Sequence, residues 1–271
     1  MTARRSAAIS RLTQGLSGVV LRPVRGTNAF EATVEQLATA VRLGVLSDGE
    51  RLPPERELAG SLGVSRATLR EAIAALREAG LLETRPGRGG GTIVTHEPAA
   101  QGASRDKVAR ERARRRVESR CDHYRDTLVL RRVVEPGAAM TAAGRDLTSE
   151  ERAWLRTALA AVANASDPAS YRQADSRLHL AVAALTGSPQ LIDVITAVQR
   201  DLHEMLTAIP VLKVNIAHSN TDHHDLVQAI LAGKAERARA VMEQHCDGTA
   251  ALLRGLLAMD STTVPPHGGS Q

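Results

Sequence analysis

The chain has 271 residues, 35 Lys+Arg against 30 Asp+Glu for a formal net charge of +5, 43% hydrophobic residues and two cysteines. That length fits one large or two ordinary domains with real cores. No apolar run reaches the ~20 residues of a membrane span. Cys121 and Cys246 cannot build a disulfide scaffold or a zinc ribbon, and the apolar stretch Gly18-Val19-Val20-Leu21 is too short for a signal peptide. The expectation is a protein of the reducing cytoplasm with no membrane partner. Aromatics (Phe30, Tyr124, Trp154, Tyr171) are 1% of residues, which argues against base stacking as a mode of nucleic-acid binding.

Charge is unevenly placed. Residues 1–125 hold 22 Lys+Arg and 14 Asp+Glu, net +8; residues 126–271 hold 13 and 16, net −3. A basic first half before a mildly acidic second half suggests a nucleic-acid-facing module joined to something else. Residues 1–27 lack periodicity and read as a flexible basic arm.

Residues 28–95 are dense with pattern. Phe30, Val34, Leu37 and Val41 fall on one helical face, and Gly44 ends it. Leu58 and Leu62 continue an apolar stripe on a short helix. Gly63-Val64-Ser65 then gives a left-handed stop and an N-cap. The next helix runs from about Arg66 to Ala79, with Leu69, Ile73 and Leu76 inward. Two short helices around a tight glycine turn are a helix-turn-helix. Arg66, Thr68 and Arg70 occupy the first turns of the second helix, where a recognition helix meets base edges. A surface helix whose arginines pair with Glu71 or Glu78 is the plain alternative. Two β-prone runs, Leu81–Arg85 and Thr92–Thr95, flank a basic glycine-rich tip and read as a hairpin wing. That tip lacks the P-loop and Rossmann patterns, so a nucleotide site is not expected.

Residues 96–122 read as a linker, helical towards its end, with Arg112, Arg114, Arg115 and Arg116 on an exposed face. Residues 123–259 hold about six amphipathic helices with almost no strand signal, and residues 260–271 read as a disordered tail. Thr148-Ser149-Glu150-Glu151 fits a capping box, and Ser188-Pro189 fits a cap followed by proline in the first turn. The fold class expected is mainly α: an N-terminal winged helix-turn-helix with a small hairpin, then an antiparallel helical bundle.

Asp175 and His179 are four apart and share a face. His223 and His245 would lie roughly 33 Å apart on one straight helix. Gly233 stands between them, ten residues after the first and twelve before the second. A helical hairpin turning there brings both to about the same level, roughly 15–18 Å from the turn. Three imidazoles and a carboxylate suit zinc first, with nickel or manganese as alternatives. His203 and His224 can substitute for one ligand on spacing alone, while His96, His123, His218 and His267 read as surface or cap residues.

The runs Leu52-Pro53-Pro54-Glu55-Arg56-Glu57-Leu58-Ala59, Leu62 to Ala72 and Gly80 to Gly89 resemble the winged-helix domain of GntR-family transcription regulators. The resemblance implies operator contacts by Arg56, Arg66 and Arg70, supported by Ser65 and Thr68, with Gly87 and Arg88 at the wing tip. Pro54 departs from the Ser or Ala usual there. The later pattern, Tyr171 to His179, Gly187-Ser188-Pro189, Asp222-His223 and Met242 to His245, is similar to the FCD effector domain of the FadR-like branch. It implies a metal on Asp175, His179, His223 and His245, and an effector pocket near Arg131 and Ser188. Leu178 and Ser188 depart from the common Phe and Asn. The function implied is a homodimeric regulator, most often a repressor, that binds a pseudo-palindromic double-stranded DNA operator under control of a small organic acid. It is not expected to be an enzyme. A metal-dependent hydrolase or isomerase fused to a DNA-binding module is the alternative, although no His-Glu-x-x-His or nucleophile elbow is present. A bundle that only dimerises is a third reading.

Overall fold

The computed structural model describes residues 15–24, 29–86, 91–95, 103–210 and 213–257. Helix α1 spans Gly15–Val20. The winged helix follows: α2 Ala29–Arg42, α3 Glu55–Leu62, α4 Arg66–Glu78, β1 Leu82–Arg85 and β2 Gly91–Val94. Seven further helices complete the chain: α5 Ala103–Ser119, α6 Cys121–Ala143, α7 Ser149–Ala163, α8 Pro168–Leu185, α9 Pro189–Thr207, α10 Lys213–Leu231 and α11 Ala235–Leu257. The fold is mainly α, and the sheet among the described residues is the antiparallel β1–β2 hairpin. No described helix is long and apolar enough to cross a membrane.

Local chemistry sets most boundaries. Gly63 ends α3 at φ 64°, a conformation that costs a Cβ-bearing residue energy. Ser65 then caps α4, its Oγ accepting from the Thr68 N–H at 3.0 Å. Thr148 and Glu151 form a reciprocal capping box on α7, and Asp167 and Ser170 form another on α8. Register in the hairpin pairs Leu82 with Val94 and Arg85 with Gly91. Paired Leu82 and Val94 face the helical core, while buried Ile93 lies on the other face of the hairpin and bridges to Arg51.

The bundle packs α6 against α11 and α9, α10 against α11, and α8 against α7 and α9. Its centre is Leu155, Leu178, Val182, Val227, Ile230, Val241 and Met242. The winged-helix core is continuous with one side of the bundle: Leu37, Leu58 and Leu69 share a cluster with Leu180, Ala183, Ile192 and Ile195.

Two segments differ from the sequence expectation, and a third lies outside the described residues. Within the 1–27 arm, residues 15–24 are built into the fold: Val19, Val20 and Leu21 are buried in that shared cluster, and Arg22 pairs with Asp193 on α9 at 3.4 Å. Residues 1–14 and 25–28 lie outside the described residues. Within the 96–122 linker, 103–119 is a helix that joins the bundle. Ala113 and Val117, four apart, are buried against Leu202, Met205 and Leu253. Its arginines stay outward, with Arg114–Glu118 and Arg115–Glu111 paired along the helix. The tail from 260 onward lies outside the described residues.

Candidate metal centre, effector pocket and DNA-facing helix

Helix α4 buries Leu69, Ala72, Ile73 and Leu76 and turns its arginines outward. Arg66 and Arg70 are exposed, and both approach one carboxylate: Arg70 Nε donates to Glu55 Oε2 at 2.8 Å, and an Arg66 amino group stands 3.8 Å from the same oxygen. The expected alternative partners, Glu71 and Glu78, are not the ones used. Arg56 is exposed on α3, and the Thr68 hydroxyl lies 2.8 Å from Ser65 Oγ. Ser65, Arg66, Thr68 and Arg70 therefore gather at the start of α4, with Arg66 and Arg70 beside Glu55, and Arg56 is exposed on the adjoining α3. Gly87 and Arg88 lie outside the described residues.

Asp175 and His179 come from α8, His223 from α10 and His245 from α11. All four are buried, and one ligand atom from each lies within 4.8 Å of the others. The hairpin between α10 and α11 turns at Gly233, φ 70°, and sets the His223 and His245 rings 4.7 Å apart. His223 Nε2 is 3.3 Å from Asp175 Oδ1, and His179 Nε2 is 4.0 Å from Asp175 Oδ2. Both His223 nitrogens and both His179 nitrogens are buried without a hydrogen bond of good geometry. Buried polar atoms left in this state call for a missing partner. Burial holds His223 down to about 4, with His179 and Arg131 pushing the same way against Asp175. Burial, then His223 and Arg131, lower His245 well below its usual value. Both imidazoles are thus neutral near pH 7, the form that ligates a metal. His224 is 63% exposed beside Asp225, and His203 lines a different cleft, so neither substitutes.

Behind the ligands lies a layer the sequence did not announce. His179 Nδ1 is 2.9 Å from Glu135 Oε2, close though off the line of a good hydrogen bond. Glu135 also accepts from Arg131 Nε at 3.1 Å and from Gln199 Nε2 at 2.6 Å. Burial alone would raise the Glu135 carboxyl, but Arg131 and then His179 outweigh it and hold it well below the usual range. A carboxylate behind a ligating imidazole orients the ring and fixes its tautomer. The available signal was the i,i+4 spacing of Arg131 and Glu135 on α6. Asp222 plays a looser part, with Oδ2 3.7 Å from His245 Nδ1. Burial pushes the Cys246 thiol, 3.7 Å from Glu135, up to about 12, so it stays protonated.

Arg131 is 1% exposed, and both its terminal amino groups lack a hydrogen-bond partner. Arg131 lines a pocket of about 620 Å³, counting its mouth open to solvent, which His245 and Asp175 also line. Ser188 does not line it. Its oxygen caps α9 by accepting from the Leu191 N–H at 3.3 Å. That end of α9 is about 21 Å along the axis from Leu202, which does line the pocket. Ser188 caps a helix away from this pocket.

A winged helix with an arginine-bearing second helix, set on a bundle with a buried His/Asp cluster, is the build of a two-domain DNA-binding protein. A family model described as "Bacterial regulatory proteins, gntR family" matches residues 30–91, and one described as "FCD domain" matches residues 126–248. RmpR of Mycobacterium gastri, named as an HTH-type transcriptional regulator, is 32% identical over 222 residues, 79% of this chain and 76% of that protein. An Escherichia coli K12 protein named for regulation of an L-lactate dehydrogenase operon is 30% identical over 207 residues, 74% of this chain and 76% of its own. A solved structure titled as a GntR transcriptional regulator from Rhodococcus sp. RHA1 aligns with TM-score 0.47 and 21% identity, over 84% of this chain and 99% of that one. This chain belongs to the GntR family of transcription regulators and carries an FCD effector domain. Its relatives and both of its domains are those of regulators, not enzymes. Some FCD domains bind a metal, and the present one has a cluster able to hold one.

Proposed function

We propose that this regulator is a homodimeric repressor of a pseudo-palindromic operator, released by a small carboxylate that binds beside a divalent metal. One observation carries the effector half: buried Arg131, whose two terminal amino groups are unpartnered, lines the same pocket as Asp175 and His245. A guanidinium fork matches a carboxylate in two parallel hydrogen bonds. Asp175, His179, His223 and His245 would hold the metal, whose chemistry when bound is to attract an anionic oxygen. The donor set of three imidazoles and one carboxylate favours zinc, with nickel or manganese next.

Val129, Val133 and Met140 support the dimer. They are exposed at 63%, 68% and 37% and sit four and seven residues apart on α6. An apolar helix face of this kind fits a second copy of itself, and a two-fold protein reads a two-fold site. Arg56, Arg66 and Arg70 would reach DNA, with Ser65 and Thr68 positioning the helix start and Gly87 and Arg88 at the wing. The name of the E. coli relative, tied to an operon for a small hydroxy acid, agrees with control by small acids.

The test is selection of duplexes from a random pool by the purified protein, then gel shifts with and without small carboxylates and added zinc, nickel or manganese. Arg66→Ala and Arg70→Ala should each cost about 1–3 kcal/mol of specific affinity at fixed salt. His223→Ala and His245→Ala should lose stoichiometric metal. Failure to prefer any sequence at any salt tried would refute the DNA half. Selection that no acid alters would refute the effector half.

A further inference from the structure

We propose that the effector is a small monocarboxylate with a compact apolar tail, its carboxylate on Arg131 and its tail against Leu206, Ile209, Ile216 and Leu252. The inference rests on the reading of this pocket as the effector site and adds the chemical class of the occupant.

The charged lining of the pocket is Arg131, the ligands Asp175 and His245, and Arg172, which already has a partner of its own. Pro168 and Tyr171 join Arg172 from α8, and most of the remaining wall is apolar: Leu202 and Leu206 from α9, Ile209 and Pro210 beyond it, Ile216 from α10 and Leu252 from α11. Leu202 and Ile209 are buried; Leu206, Ile216 and Leu252 are half-buried, with surface left over that a tail would cover. Two hydroxyls on the wall are already committed as donors. Tyr171 donates to Asn220 Oδ1 at 3.2 Å, and Thr249 donates to the His245 carbonyl at 3.0 Å. They present a ring face and a methyl group more readily than a donor. Asn215 and Ser219, on one face of α10, are the neutral polar groups remaining. A polyhydroxylated acid would set several hydroxyls against leucine and isoleucine, each unpaired one costing roughly tenfold in affinity. Each methylene of an alkyl tail gains about fourfold there.

The experiment is calorimetric titration of the full-length, zinc-loaded chain with acetate, butyrate, 3-methylbutyrate and hexanoate, and with lactate, gluconate and succinate. Affinity should rise about fifteenfold from acetate to butyrate, and butyrate should bind more tightly than lactate, gluconate or succinate. Leu206→Asn and Ile216→Asn should flatten the alkyl series, the butyrate-to-acetate affinity ratio falling from about fifteen towards one, with the helical circular dichroism signal retained. Equal or tighter binding of the hydroxylated acids or succinate, or an alkyl series whose slope both variants leave untouched, would overturn the apolar-tail assignment and leave the carboxylate site standing. If none of the seven acids binds, the effector site itself is wrong.

Discussion

The buried pair Arg131–Glu135 makes the sharpest stability test. The two side chains are 1% and 2% exposed and 3.1 Å apart. Replacing Glu135 with Gln leaves a cation buried without its nearest counter-charge. Replacing Arg131 with Met leaves a carboxylate in the same position. Breaking a buried pair from one side typically costs about 3–5 kcal/mol, whereas replacing both partners is close to neutral. Glu135→Gln and Arg131→Met should therefore each destabilise by about 3 kcal/mol or more, and the double variant should be at least ~2 kcal/mol better than their sum. Gln at 135 keeps an acceptor for Gln199, so the cycle isolates the charge. The assay is urea unfolding of the full chain followed by the single tryptophan, Trp154, which packs against both the bundle core and the cluster shared with the winged helix. Titrating zinc into Glu135→Gln reads the same residue a second way, with affinity expected to fall ~10–100-fold as His179 loses its orienting carboxylate. Strict additivity, or single variants within ~1 kcal/mol of the parent, would show that the pair is not the anchor its burial implies.

Three further outcomes follow from the geometry. Glu55 holds Arg70 and approaches Arg66 at the surface, a contact worth ~0.2–1 kcal/mol; Glu55→Gln should tighten binding to a scrambled duplex about two- to fivefold by fluorescence anisotropy at fixed salt, and no change would mean the pair does not compete with DNA. The metal-free chain should lose stability as pH falls from about 6.5 towards 4, because the unfolded chain takes up protons there that buried His223 refuses. The loss at pH 4 should approach about 3 kcal/mol from His223 alone, and His245 acts in the same direction; a midpoint unchanged over that window in chelator would contradict the burial of these rings. Gln173→Ala with Arg177→Ala should leave metal and operator affinities near normal but shrink the effect of each ligand on the other, which a gel shift titrated with effector would read.

The helix-turn-helix was legible because its punctuation is local. Gly63 and Ser65 force a stop and a start whatever lies elsewhere in the chain. The histidine cluster was legible for a related reason: Asp175 and His179 share a turn, and a glycine placed between His223 and His245 makes a hairpin that levels them. Helix α1 was not legible. Its six residues gain their burial from α8 and α9, more than 150 positions away, and no window of sequence contains that contact. The seam on α5 is two residues wide and hidden among arginines, so Ala113 and Val117 read as part of a charged run. For Ser188 the resemblance implied an effector role that position alone does not decide, and the structure shows its oxygen capping a helix away from the pocket that Arg131 lines.

Helix α8 explains why the two domains need not touch the same ligand to be coupled. Asp175 and His179 look into the bundle. Gln173 and Arg177, two positions before each of them, look the other way. The Gln173 amide donates to the carbonyls of Val41 and Arg42 at the end of α2, and Arg177 donates to Ser47 Oγ at 3.0 Å. Residues two apart on a helix lie on different faces, so a rotation of α8 that improves its ligands' geometry must move both of these contacts. Leu180, Ala183 and Ala184 bind the same helix to the winged-helix core through α1. Close-packed interfaces of this kind shift between discrete arrangements rather than deforming smoothly. On the proposed reading, any free energy by which metal or acid favours one setting of α8 is felt at α2, against which α4 packs directly. If the proposed acid changes operator affinity, linkage requires operator DNA to change the affinity for that acid by the same factor.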